Sequence, residues 1–364
     1  ADASLLSPIF HLDLPRHHHL AANWKAQGDG DRIQLADGKI HMESSDLNMT
    51  ASGVTALLLP AEEQPVTRFV APFTLELSDT SALSQYVHHE VPALGAVRLR
   101  GRLVRPETHL QVQKLEADIS SSEFTLKSRG EIADLHTLSG IDLRNEISDI
   151  DTKHLLKALL DDFQYNKPID GLRGSFKLTG SAQAWHVNDL DLHSTMENGP
   201  LEIHAGGSIH NVDHLPTAEL KAAIHLRDPD LLQQLTGLPA SPSSGDLLVK
   251  SEPYALSLAA NARTGSTRWS ADGVIKHRGQ AIKGVNFALD IPHLHLADLG
   301  LGLQTPVQGQ APAVAPNAPL PSPDEEFYQA IEKLPEYPIE AAITVGQITG
   351  DNTDIHDLDI LVSG

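Results

Sequence analysis

The sequence predicts a mainly β protein: a long curled antiparallel sheet made of repeated multi-strand units, with short helices interspersed. Three observations predict it. Apolar and polar residues alternate along most of the 364 residues, and alternation with period two marks strands with one buried and one wet face. Gly, Pro, Asn and Asp break the runs about every 8–12 residues, as in meanders, sandwiches and barrels. Similar blocks return at roughly 65–80 residues, long for a solenoid repeat but suited to a unit of several strands. A sheet of that many strands does not stay flat; it twists and curls.

The alternation runs through Val97/Leu99/Gly101/Leu103, Leu201/Ile203/Ala205/Gly207/Ile209, Tyr254/Leu256/Leu258/Ala260, Trp269/Ala271/Gly273/Ile275 and Ile339/Ala341/Ile343/Val345. The clearest module lies at 217–235. Leu220, Ala222, Ile224 and Leu226 are expected on the apolar face, and Glu219, Lys221, His225 and Arg227 in water. Asp228-Pro229-Asp230 then stops the strand and starts a helical turn carrying Leu231, Leu232 and Leu235. Partners of this module recur. Glu76-Leu77-Ser78-Asp79 returns as Glu146-Ile147-Ser148-Asp149, each before a short apolar helical stretch, and Ile291-Pro292-His293 precedes another at 296–299. GAVRLRG at 95–101 mirrors GSFKLTG at 174–180. The expected unit is about five strands plus a helical turn. Helical candidates are short: 152–163, 229–235 and 324–334, the last with Phe327, Ile331 and Leu334 on one face. The expected organisation is repeated β units over 1–303, a Pro/Ala-rich linker or long loop at 304–323, then a short helix and a fresh β pattern over 324–364. The pattern is already strand-like at 7–14 and again at 355–362, so the sequence is expected to be a segment of something longer.

Composition narrows the function. A net charge of -21 disfavours nucleic acid and anionic headgroups. An aromatic content of 4% leaves little for base stacking. There are no cysteines, which removes disulfides, thiolate metal sites and Cys nucleophiles. No apolar run is long enough for a membrane helix.

Chemistry is sparse. Gly206-Gly207-Ser208 sits inside a strand and makes no nucleophile elbow. Gly28-Asp29-Gly30 lacks the third glycine of a dinucleotide loop, and no P-loop occurs. Asp149/Asp151 and Asp161-Asp162 flank a short helix, where acidic residues usually cap. Residues 351–357 lack the glycine and closing Glu of a calcium loop. Histidines at 17–19, 88–89, 293 and 295 invite a metal, but most of the twenty histidines occupy polar-face positions. Neither an enzyme, a cofactor nor a metal is expected.

The repeat unit resembles the AsmA-like family of Gram-negative envelope proteins, relatives of TamB and of bridge-like lipid-transfer proteins. The likeness lies in LRGSFKLTG (172–180), AWHVNDLDLH (184–193), PLEIHAGGSIHNV (200–212), ELKAAIHLRDPDLLQQLTGLP (219–239) and the tail at 338–364. The resemblance implies a taco-like β-groove with an apolar inner face, in the periplasm, with an inner-membrane anchor outside these residues. It implies binding of lipid acyl chains, phospholipid transport between the inner and outer membranes or outer-membrane lipid homeostasis, and protein partners in those membranes. Groove-lining candidates are Leu99, Leu126, Leu143, Ile203, Leu220, Ile224, Leu256, Phe287, Leu289 and Ile343. A one-residue register slip would invert each set. The alternative is a structural scaffold with a sealed core, for outer-membrane protein assembly or as an elongated adhesion module.

Overall fold

A computed structural model describes residues 19–29, 31–59, 66–84, 93–106, 109–159, 165, 167–169, 171–195, 199–211, 217–236, 241–278, 281–299, 338–350 and 353–363. The expectations for 7–14, 160–163, the linker 304–323 and the helix 324–334 lie outside them.

Eighteen strands among the described residues are assigned to one sheet. The first unit has β1 (His19–Gly28), β2 (Ile33–Glu43), β3 (Leu47–Leu58) and β4 (Val66–Leu77), then a 3₁₀ turn at Thr80–Leu83. Next come β5 (Ala96–Arg105), β6 (Gln111–Ser120), β7 (Thr125–Asp134), β8 (Ser139–Ile150) and helix α1 (Thr152–Leu159). Then follow β9 (Leu172–Ser181), β10 (Ala184–Ser194), β11 (Leu201–His210), β12 (Thr217–Leu226) and α2 (Pro229–Thr236). The fourth set is β13 (Ser243–Glu252), β14 (Ala255–Thr264), β15 (Thr267–Arg278), β16 (Ala281–His295) and a 3₁₀ turn at Leu296–Leu299. The chain continues with β17 (Ile339–Gly350) and β18 (Thr353–Ser363). The repeat is therefore four strands and a helical turn, not five strands. Counting by apolar runs splits a strand wherever a bulge interrupts its alternation.

Aspartates start the helical turns. Asp79 accepts from Ser81 N at 2.8 Å and from Gly95 N at 2.9 Å. Asp151 accepts from His154 N at 3.0 Å, and Asp228 from Asp230 N at 2.9 Å. Each carboxylate satisfies an N–H that the helix itself leaves without a partner. The Asp that follows β4, β8 and β12 is thus punctuation.

A second recurring device is a residue in the left-handed region inside the second strand of a set: Asp37 (φ 53°), Lys114 (φ 53°) and Asp189 (φ 51°). The register slips at each, between Leu35 and Gly38, Val112 and Leu115, and Val187 and Leu190. Such bulges bend a strand and sharpen its twist. β14, the second strand of the fourth set, has none. It pairs with β13 and with β15 through ten unbroken positions each.

Contacts divide the chain into two compact units, Ala1–Ala222 and Ala223–Gly364. In the N-terminal unit successive strands pair antiparallel from β1 through β11. Its first strands carry a sealed core of Leu20, Ile40, Met42, Val54, Phe69 and Leu77, each 5% exposed or less. Trp24 lies over Gly38 and Val54, so a Cβ at position 38 would collide with its indole. In the C-terminal unit β13 to β16 pair antiparallel, but β16 and β17 are parallel, from Val285↔Ile339 to His295↔Thr349. This corrects the wholly antiparallel expectation. A short turn reverses a strand, whereas the long connection over 296–338 lets the chain return and start again in the same direction.

Candidate functional site

Register in the C-terminal unit sorts side chains into rows. Partners in register share a face, and every second residue along a strand returns to it. One row is Val249, Leu258, Gly273, Phe287, Ala341 and Val362. Beside it run Leu247, Ala260, Ala271, Leu289, Ile343 and Ile360, and on its other side Leu256, Ile275, Val285 and Ile339. These rows span six strands without a charge. The opposite face carries Asp246, Asn261, Ser270, Asp290, Thr344 and Asp359, and Lys250, Asp272 and Glu340.

The charge-free face is open. Phe287, Ile360 and Val362 on it are 40%, 42% and 44% exposed. Most of the other large side chains in these rows are half-buried. The ring of Phe287 reaches toward Gly273, where a Cβ would stand in ordinary contact with it. That contrasts with the N-terminal unit, where the same alternation is sealed in β1–β5.

The ten groove candidates divide between the units. In the N-terminal unit, Leu99 shares a row with Ala117, Ser128, Asn145 and Phe176. Leu126 pairs with Ile119 and Ile147, and Leu143 with Gly130 and Leu178. Ile203 is two residues from Ala205, the partner of Leu192. Leu220 follows Glu219 along β12, where the pair's backbone lies against Gly207. In the C-terminal unit Leu256, Phe287, Leu289 and Ile343 lie on the one charge-free face. Ile224 neighbours His225, which borders a depression with Asp246, Asn261, Ser270 and Asp290, so alternation turns Ile224 from that polar face. Nine of the ten are half-buried and Phe287 is exposed. In β12, Glu219, Lys221 and His225 are exposed as expected, but Arg227 is half-buried. It lies past the strand end, where alternation no longer sets direction.

Several features were invisible in the alternation. A depression of about 630 Å³ lies on the opposite face, floored by Ala259, Ala288 and Ala342 with Leu248, Val274 and Leu361 around them. Phe287 alone of the ten candidates borders it. A second, polar depression of about 410 Å³ adjoins Arg263, Arg268 and Asp290. The three small alanines were the available signal. In the N-terminal unit the apolar face holds two buried polar side chains, Ser128 and Asn145. Asn145 Nδ2 donates to the carbonyls of Leu143 and Phe176 at 3.2 and 3.5 Å.

Several carboxylates are tied into local hydrogen bonds. Asp298 accepts with one oxygen from Ser266 N (2.9 Å), Ser266 Oγ (2.6 Å), Thr267 N (2.9 Å) and Thr267 Oγ1 (3.0 Å). Burial pushes its pKa up, but those hydrogen bonds outweigh it, and the carboxyl is held below its usual value. Asp354 is also held low, first by Gln347 and then, against burial, by His356 at 3.1 Å. His293 and His295 have ring centroids 4.6 Å apart, and His295 Nδ1 meets Thr349 Oγ1 at 2.9 Å. Among the described residues no group of three or more His, Cys, Asp or Glu could hold a metal ion. No helix among them is long and apolar enough to cross a membrane. Comparison with family models, curated proteins and solved structures finds no match for the chain.

Proposed function

We propose that the charge-free face of the C-terminal unit binds lipid acyl chains, and that the protein is an AsmA-like periplasmic protein acting in phospholipid transport between membranes or outer-membrane lipid homeostasis. The supporting observation is the set of aliphatic rows six strands wide, with Phe287, Ile360 and Val362 open to solvent. An exposed apolar surface of this continuity marks an interaction site. The chemistry fits without a catalytic group. Each CH₂ moved from water to an apolar surface gains about 0.8 kcal/mol, so a chain of about sixteen carbons gains on the order of 10 kcal/mol. A surface that takes up the chain lowers the barrier to leaving a bilayer by part of that amount. The opposite face, with Asp246, Asp290 and Asp359, stays in water.

Native mass spectrometry on purified protein incubated with zwitterionic phosphatidylcholine vesicles tests this. Bound lipid is expected on the intact chain. It is expected to fall at least several-fold in the double variant Leu289→Asp/Ile343→Asp, and to persist in the opposite-face variant Ala288→Asp. Equal loss from both faces, or no lipid on a folded protein, would sink the proposal. A scaffold with a sealed core is the second reading. It draws on Val54 and Phe69 in the N-terminal unit, which are 0% and 2% exposed. Lipid-free protein that retains a full set of envelope-protein partners would favour it.

A further inference from the structure

The polar depression of about 410 Å³ in the C-terminal unit is lined by two rows of opposite charge. Register defines both rows. Ser244, Arg263, Arg268 and His293 are successive partners across β13–β16, and so are Asp246, Asn261, Ser270 and Asp290. On β13, β14 and β15 the second row is two residues from the first, so the rows share a face and lie about 7 Å apart. Arg263, Arg268, Asp246, Asn261 and Asp290 are exposed, and Ser244 and Ser270 are half-buried.

The first row has no acid. Arg263 and Arg268 stand directly opposite one another, an arrangement that is unfavourable by itself. Ser244 and His293 flank them and supply no counter-charge. The second row has no base, and Asn261 and Ser270 separate its two aspartates. In the N-terminal unit a cation closes on a carboxylate diagonally between rows: Lys177 meets Asp142 at 3.0 Å. Here the rows stay apart. Among the described residues Arg268, Asp246 and Asp290 make no ion pair. Arg263 Nε donates to the Gly265 carbonyl at 2.7 Å, which orients the guanidinium and uses one of its N–H groups.

The chemistry of each row selects a ligand group. Two adjacent guanidinium forks match an anion with several oxygens. One fork uses up both oxygens of a carboxylate, whereas the terminal oxygens of a phosphate accept from two. The row of Asp246, Asn261, Ser270 and Asp290 is rich in acceptors and suits a primary ammonium, which has three donors and no acceptor. Two cations balance two anions, so a bare anion or a bare cation answers only half of the depression. The gap between rows calls for a spacer longer than the single carbon of an α-amino acid.

We propose that this depression binds an aminoalkyl phosphate, with the phosphate on Arg263 and Arg268 and the primary ammonium among Asn261, Ser270 and Asp290. The volume is that of a small-molecule site. The site lies on the face opposite the charge-free rows and does not depend on acyl-chain binding there. The ligand group has two sources: a free phosphomonoester such as phosphoethanolamine, or the phosphodiester headgroup of a lipid.

Calorimetric titration of the intact chain with phosphoethanolamine tests this. Saturable binding is expected, with inorganic phosphate and ethanolamine each binding about tenfold more weakly or worse. The exposed-residue variants Arg263→Gln/Arg268→Gln and Asp246→Asn/Asp290→Asn are each expected to weaken binding by about tenfold. Asp359→Asn removes an acid of the same face outside the depression and is expected to change nothing. Circular dichroism checks that each variant is folded. Three results would overturn the proposal: no saturable binding to folded protein, inorganic phosphate binding as tightly as phosphoethanolamine, or an equal loss in Asp359→Asn and Asp246→Asn/Asp290→Asn. Competition by glycerophosphoethanolamine, which carries the headgroup without acyl chains, separates the sources. Displacement admits the lipid headgroup, and its failure restricts the site to the free phosphomonoester.

Discussion

Phe69→Ala is expected to lower the unfolding free energy by about 3–5 kcal/mol, the usual cost of deleting a buried aromatic ring and leaving a cavity. Phe69 is 2% exposed and belongs to the core with Val54, Leu77 and Met42. Urea denaturation followed by far-ultraviolet circular dichroism reads the effect. Phe287→Ala is the matched control. At 40% exposed, it is expected to cost about 1 kcal/mol or less, as most half-open surface changes do. The pair tests the contrast between the two units directly. Equal losses would mean that the face bearing Phe287 is as sealed as the core around Phe69.

Asp298→Ala is expected to cost about 2–4 kcal/mol. Four donors converge on one of its oxygens. Hydrogen bonds to a charged acceptor are worth about 1.5–3 kcal/mol each when removed singly, and they are not additive. Gly265 is part of the arrangement. It sits at φ 59° and a Cβ there would overlap the Asp298 carboxylate, so Gly265→Ala is expected to destabilise as well. The pH dependence has a definite sign. The folded-state pKa of Asp298 lies below its ordinary value near 3.8. The unfolded state therefore binds the proton first as pH falls. The stabilisation is fully present above the unfolded pKa and is lost as pH drops through the folded one. The alanine variant should accordingly lose less stability than the parent between neutral pH and the acid range below 3.8. Parallel acid titrations of parent and variant would refute the role assigned to Asp298.

Much of the fold was legible because strand alternation is a strictly local signal. Leu220, Ala222 and Ile224 were placed opposite Glu219, Lys221 and His225 from spacing alone, and their exposure follows that pattern. The Asp228 cap was legible for the same reason, since it acts within two residues of itself; one oxygen of Asp79 does the same, while the other reaches Gly95 N sixteen residues on, which no local signal shows. Three things were not. Lys114 takes a left-handed bulge conformation although nothing about a lysine asks for it; the neighbouring strands impose it. Leu77 and Leu289 have the same kind of alternating surroundings, yet one is 4% exposed and the other half-buried. Burial depends on what covers a face, and no spacing within a strand encodes that. The parallel entry of β17 also left no trace, because reversing a strand's direction changes neither its period nor its composition.

The break in the meander at β17 also sets an order of events in time. In the C-terminal unit β13, β14, β15 and β16 follow one another with two residues between neighbours, so this part of the sheet can zip hairpin by hairpin at small entropic cost. β17 can join only after a connection of about forty residues closes, which costs roughly 3 kcal/mol in loop entropy before any ladder bond forms. The β17–β18 hairpin should therefore be the last element to consolidate and the first to detach. While it is detached, the β16 edge from Val285 to His295 offers free backbone groups to any strand in reach, including the same hairpin from another molecule. Exchange of that hairpin between chains is the failure route that this topology builds in, and the Asp298 clasp on Ser266 and Thr267 ties the turn just after β16 to its own sheet.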